Sequence, residues 1–277
     1  MTDATSVPTV RRLVETGRQP IAVTEAAAAG APPLVLVHGI GSRAESWWPV
    51  LGPLAERFHV YAVDLRGHGG SGKPEAGYLL DDYAADLGAL LDALGLERPF
   101  VLGHSLGAMT TMLWAVRQPG RAAKIVLEDP PLRTEPAILD AFDGWMQLNA
   151  APLEAVAFWY QSEHPDWSWE ECRRRAESIT STHPAVFAEL RAASEEALAQ
   201  PGPGRDPRLD ALAAIDAPTL LVRGDPDLGS MVGPDDVAEI AAAAPQVVVR
   251  RIPGTGHSIH REQPEAFVRE VVGFLGD

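Results

Sequence analysis

The sequence predicts an α/β fold: a mostly parallel sheet with helices on both faces. Two observations carry this. Short, continuous apolar runs alternate with helix-compatible stretches, and such runs suit strands buried on both sides. The residues of chemical interest, His38, Ser105, Glu128, Asp227 and His257, all follow directly on such runs. In sheets of this kind ligands bind beyond the carboxyl ends of the strands.

Along the chain, residues 1–9 read as a frayed terminus. Residues 10–14 and 19–24 suit a hairpin around Thr16-Gly17, and 26–30 a surface turn. Residues 34–37 form a buried strand that runs into His38-Gly39-Ile40-Gly41, followed by a helical stretch over 46–57. Residues 60–63 form another strand, ending in the glycine-dense loop 64–72. Residues 81–94 place Leu87, Leu90, Leu91 and Leu94 at helical spacing. The run 99–102 leads into Gly103-His-Ser-Leu-Gly107 and a helix from 108 to 116. A strand at 123–127 ends in Glu128-Asp129-Pro130-Pro131.

The alternation then stops. Residues 132–210 contain no strand pattern and hold Trp145, Trp159, Trp167 and Trp169, with Pro201-Gly-Pro-Gly204 as a linker. It resumes with a strand at 219–222, a helix at 234–244, a strand at 247–252 and a closing helix at 264–275. The expected organisation is a core of 1–131 and 211–277 with a helical block, 132–210, inserted between them.

Composition narrows the function classes. With 277 residues and 46% hydrophobic content, the chain can bury one large core. A net charge of −15 disfavours nucleic acid or an anionic membrane as partner. The single cysteine, Cys172, excludes an internal disulfide and a cysteine-based zinc site. The start shows no signal-peptide pattern and no apolar run reaches membrane-spanning length, so a cytoplasmic protein is expected. No metal or organic cofactor is implied.

The segment Gly103-x-Ser105-x-Gly107 has the spacing of a nucleophile elbow. A serine held on a tight strand-to-helix turn needs small neighbours two residues away, because the backbones crowd there. The following helix start offers free N–H groups to a reacting oxygen.

Together with His38-Gly39-Ile40-Gly41, the loop 64–71, Gly224-Asp-Pro-Asp227 and Gly256-His257, this order and spacing resemble the α/β-hydrolase family over about residues 25–277. The resemblance implies an eight-stranded sheet, a helical cap after the sixth strand, and a triad in the order nucleophile, acid, histidine. A serine nucleophile departs from the haloalkane dehalogenases and epoxide hydrolases of this fold, which carry aspartate there.

The expected roles follow. Ser105 is the nucleophile and His257 the base, with His260 in reserve. The backbone N–H groups of Ile40 and Leu106 form the oxyanion hole, and Gly39 lets the chain approach the substrate. His104 and His38 read as structural. For the acid, Glu128 is favoured, because a carboxylate closing an apolar strand needs a partner to be buried. Asp227, at the family's usual position, is the alternative, and Asp129 reads as a cap of the turn into Pro130.

Trp145 and Trp159 are expected to line an apolar pocket, unless the cap aromatics only form the cap's own core. No basic cluster lies near the motifs, and Arg43 and Arg133 are isolated. These readings favour a serine hydrolase acting on a neutral, fairly hydrophobic ester or lactone. A C–C bond or amide hydrolase, or a non-catalytic ligand receptor, are the alternatives that the same residues leave open.

Overall fold

The computed structural model describes residues 7–27, 30–199 and 207–276. The expected linker at 201–204, residues 1–6 of the expected frayed start, and Ala28 and Ala29 of the early turn lie outside them. The chain opens with a hairpin of β1 (Thr9–Glu15) and β2 (Pro20–Ala26), followed by β3 (Pro33–Val37). A 3₁₀ turn (Ala44–Trp47) leads into α1 (Trp48–Ala55), β4 (His59–Val63) and α2 (Leu80–Ala93). Next come β5 (Phe100–His104), α3 (Leu106–Arg117) and β6 (Lys124–Glu128). Helices α4 (Ala137–Ala150), α5 (Leu153–Glu163), α6 (Trp169–Thr180), α7 (Pro184–Ala199) and α8 (Pro207–Ala213) precede β7 (Thr219–Arg223). The chain closes with α9 (Pro234–Ala243), β8 (Val247–Arg251), α10 (Ile259–Glu262) and α11 (Pro264–Gly276).

The eight strands form one sheet in the order β1-β2-β4-β3-β5-β6-β7-β8. The β1–β2 and β2–β4 pairs are antiparallel and all the others parallel. The central strands are apolar throughout because both faces are covered. Val35, Val37, Val101, Ile125 and Leu127 enter one core with α2 and α3. Leu34, Leu36, Leu102 and Val126 enter the other, with α1 and α11. Edge strand β1 is mostly exposed and carries Arg11, Arg12 and Glu15, which discourages pairing with another chain.

Helices α4 to α7 have a small core of their own, built on Phe142, Val156, Tyr160, Cys172, Ile179 and Phe187. Helix α8 behaves differently: Leu209 and Leu212 are buried in the main core. The expected boundary at 210 therefore falls inside a helix that packs into the main core against α3 and α9. Among the described residues, no helix is long and apolar enough to cross a membrane.

The glycine-dense loop after β4 works as a staple for the loop after β3. The buried Asp64 carboxylate accepts hydrogen bonds from the N–H groups of Ala44 (2.7 Å) and Gly70 (2.8 Å) and pairs with Arg11 (2.5 Å). His68 Nε2 accepts the Gly41 N–H (3.1 Å) and His38 Nε2 accepts the Leu65 N–H (3.0 Å). Their Nδ1–H groups donate to the carbonyls of Arg66 and Gly39. Both rings are thus held neutral, and burial pushes His38 down to about 4 and His68 down to about 3.

This fixes the sign of a pH effect. In the unfolded chain these histidines take up a proton near pH 6.5, whereas in the folded chain they do not until much lower pH. The unfolded state therefore binds more protons, and stability falls as pH drops from 6.5 towards 4. Each histidine contributes on the order of 1 kcal/mol per pH unit in that window. Denaturant unfolding at pH 7, 6 and 5 should show the midpoint falling; a flat profile would contradict the neutral, buried pair.

Candidate active site

Ser105 sits between the end of β5 and the first residue of α3, with φ 52° and ψ −115°. A non-glycine residue in that region is strained, and the surrounding packing must hold it there. The flanking glycines show why. A Cβ on Gly103 would overlap the Gly107 backbone, and one on Gly107 would overlap the carbonyls of Val37 and His38. Gly39 has no such room either: its Cβ would come 2.9 Å from His104 Nδ1 and 3.2 Å from Ser105 Cβ. The loop after β3 therefore lies directly against the serine. Leu106 is the first residue of α3, and the first bond of that helix runs from the Met109 N–H to the Ser105 carbonyl. The Leu106 N–H thus belongs to the unpaired first turn.

His257 lies in the loop after β8. Its Nδ1 is 2.7 Å from Asp129 Oδ2. Asp129 is fully buried, with φ 45°, directly after β6. Its carboxylate also accepts the Ser230 hydroxyl (2.6 Å) and the Met231 N–H (2.8 Å). These donors hold the carboxylate where it can take the Nδ1–H of His257, leaving Nε2 as the ring's free nitrogen.

The expected acids are both corrected by this geometry. Glu128 is fully buried, but it bonds His260: its Oε1 takes the backbone N–H (2.8 Å), and the ring Nδ1 lies 2.9 and 2.8 Å from its two oxygens. Strand alternation is the physical reason. Glu128 is in register with His104 and shares the face of Leu102 and Val126, so it turns away from the serine. Asp129 lies one residue on, where the positive φ redirects its side chain. Asp227 sits exposed in a 3₁₀ turn (Pro226–Leu228) and does not reach His257. Its neighbour Asp225 is engaged in the loop, bonded to Arg251 (2.5 Å) and the Gly254 N–H (2.9 Å). Asp129, read from the sequence as a turn cap, is the carboxylate at the histidine.

His260, the reserve base, is buried beneath the site and packs at a tilt against Trp47, 4.3 Å between ring centroids. Burial holds it below its ordinary pKa. His104 is likewise buried and held neutral, and its Nε2–H donates to the His257 carbonyl (2.9 Å). It braces the loop that carries His257.

Ser105 and His257 open on one cavity of about 160 Å³. Gly39, Ile40 and Trp145 are in its wall; Trp159 is not, but meets Tyr160 edge to face with 42% of its surface exposed. The rest of the wall is more polar than expected. It includes Ser42, Ser46, His260 and two arginines, Arg175 of α6 and Arg261 of α10. Burial, with the nearby Arg175 charge, pushes the Arg261 guanidinium down to about 9. No basic cluster is legible in the chain because Arg175 lies far from every motif, and Arg261, four residues after His257, stands alone there. The two arginines it did weigh are occupied: Arg43 by Glu45 and Glu177, and Arg133 by Asp236 and Glu239. Among the described residues, no group of three or more His, Cys, Asp or Glu side chains is placed to hold a metal ion.

Known proteins share this architecture. The chain is 32% identical over 272 residues to 2-(acetamidomethylene)succinate hydrolase of Mesorhizobium japonicum, covering 96% of this chain and 95% of that one. It is 29% identical over 249 residues to N-formylmaleamate deformylase of Pseudomonas putida, covering 87% and 88%. The crystal structure of E-2-(acetamidomethylene)succinate hydrolase superposes with a TM-score of 0.83 at 26% identity, over 98% of this chain and all of that one. The sequence profile of the alpha/beta hydrolase family matches residues 34–270, from the first parallel strand of the sheet into the closing helix. With most of its length matched in sequence and the sheet order and strained serine turn in place, this chain belongs to the alpha/beta hydrolase family.

Proposed function

We propose that the protein is a serine hydrolase that opens a carboxylic acyl bond through an acyl-enzyme. The observation that carries this is the pair of a buried Asp129 and a half-exposed His257, whose ring lines the cavity that also holds the strained Ser105. Asp129 holds His257 in the tautomer with a proton on Nδ1, so Nε2 is free to take the Ser105 hydroxyl proton. The serine oxygen adds to the acyl carbon, and negative charge develops on the carbonyl oxygen. The N–H groups of Ile40 and Leu106 are the donors for that charge. His257 then returns the proton to the departing oxygen or nitrogen, and the C–O or C–N bond breaks. Water, deprotonated by His257, releases the acid and restores Ser105.

The same residues serve an ester, a lactone or an amide. The relatives' names, an acetamido compound and an N-formyl compound, favour an acyl–nitrogen bond. The small, partly polar cavity argues against the fairly hydrophobic ester or lactone expected from the sequence.

An organophosphonate tests the nucleophile directly. It should label the protein once, at Ser105, as located by peptide mass spectrometry. A label on another residue, or none, would overturn the assignment.

A further inference from the structure

The cavity beside Ser105 has a cationic wall in a protein whose net charge is −15. Arg175 comes from α6, in the helices between β6 and β7, and Arg261 from α10, near the end of the chain. Among the described residues, neither guanidinium has a carboxylate within ion-pair distance, whereas Arg173, Arg174 and Arg191 do. Arg175 lies over the Tyr160 ring, and its Nε is buried without a hydrogen-bond partner. The Ser46 hydroxyl, on the same wall, is also buried without one, and Ser46 is 6% exposed. Two like charges held together next to unsatisfied donors are costly unless an anion joins them.

We propose that Arg175, Arg261 and Ser46 form a subsite for a carboxylate of the substrate, so that the acyl compound cleaved at Ser105 is a small acid rather than a neutral molecule. This rests on the serine-hydrolase reading above. A guanidinium meets a carboxylate with two parallel hydrogen bonds, and a serine hydroxyl can donate to the same group. The cavity sets the size. About 160 Å³ is roughly five water volumes, room for a short carbon chain with polar ends. Because one arginine comes from α6 and the other from α10, the subsite exists only when the cap helices sit over the sheet.

The test uses the full chain and two substrates of equal carbon number, monoethyl succinate and ethyl butyrate, followed by acid release. Wild-type protein should favour monoethyl succinate in kcat/KM by about 10- to 100-fold, the range of one charge-assisted recognition. In Arg175→Gln and Arg261→Gln that ratio should collapse towards one, mainly through KM for the acid, with melting temperature as a check on folding. Equal preference in the wild type, or a ratio unchanged in folded variants, overturns the subsite. Binding gives a readout independent of chemistry. Succinate should bind Ser105→Ala by calorimetry and lose that binding when Arg261→Gln is added, while butyramide should not bind. If neither ester turns over but succinate binds in this way, the ester chemistry fails and the subsite stands. If both esters turn over and succinate does not bind, the subsite fails and the hydrolase reading stands.

Discussion

Ser105→Ala should lower kcat by on the order of 10⁴-fold or more on any substrate the wild type turns over, with melting temperature unchanged or raised. The loss is large because Ser105 is the serine of the cavity held on the strained turn beside the Leu106 N–H, where its oxygen can form the covalent intermediate. His257 would have no hydroxyl to deprotonate, and the Ile40 and Leu106 donors alone provide only residual catalysis. The stability statement follows from the backbone. At φ 52° the serine is strained, and alanine meets the same strain without a half-desolvated hydroxyl. Burst kinetics and thermal melting of one preparation read both effects. Retention of more than a few per cent of kcat would remove Ser105 as the nucleophile.

The second large effect separates two adjacent carboxylates. Asp129→Asn should cost about 10³- to 10⁴-fold in kcat, because the amide keeps the shape but loses the charge that orients and stabilises the protonated His257. It also turns a donor towards one of the three groups that now donate to Asp129, so melting temperature should fall as well. Glu128→Gln acts on a different pair. It leaves an acceptor for the His260 backbone N–H and ring, and its loss of charge falls on a buried histidine that does not touch the reacting atoms. Its cost in kcat should stay within about tenfold, with the larger effect on stability. Measuring kcat and unfolding for both variants decides the matter. If Glu128→Gln proves the more damaging to kcat, the geometric assignment of Asp129 is wrong.

A third substitution, Asp227→Asn, should leave kcat almost unchanged, since that side chain is exposed on the turn Pro226–Leu228. It provides the baseline for the other two.

Much of this protein is written in local sequence. The apolar runs of β3 to β7 are buried on both faces, so each announces itself within five residues, and the parallel sheet follows from their alternation with helices. The serine turn was legible for a similar reason. Gly103 and Gly107 are required by backbone overlap within the turn and against β3, and that requirement leaves a fixed spacing in the chain. His257 could be placed because it ends the last strand-to-loop segment. Short α10 and the 3₁₀ turn at Pro226–Leu228 left no such signature, being single turns set by their surroundings.

What the sequence by itself determined is therefore the fold class, the serine turn and the histidine that follows the last strand. Tertiary structure decided which carboxylate meets that histidine and what charge the cavity presents. Glu128 and Asp129 are neighbours of like chemistry, and only the sheet register, which aligns Glu128 with His104, turns one to the far core and the other to His257. Arg175 and Arg261 are 86 positions apart and belong to no motif. They meet only because α6 and α10 close over the same strand ends, and that placement comes from long-range packing, which no local pattern encodes.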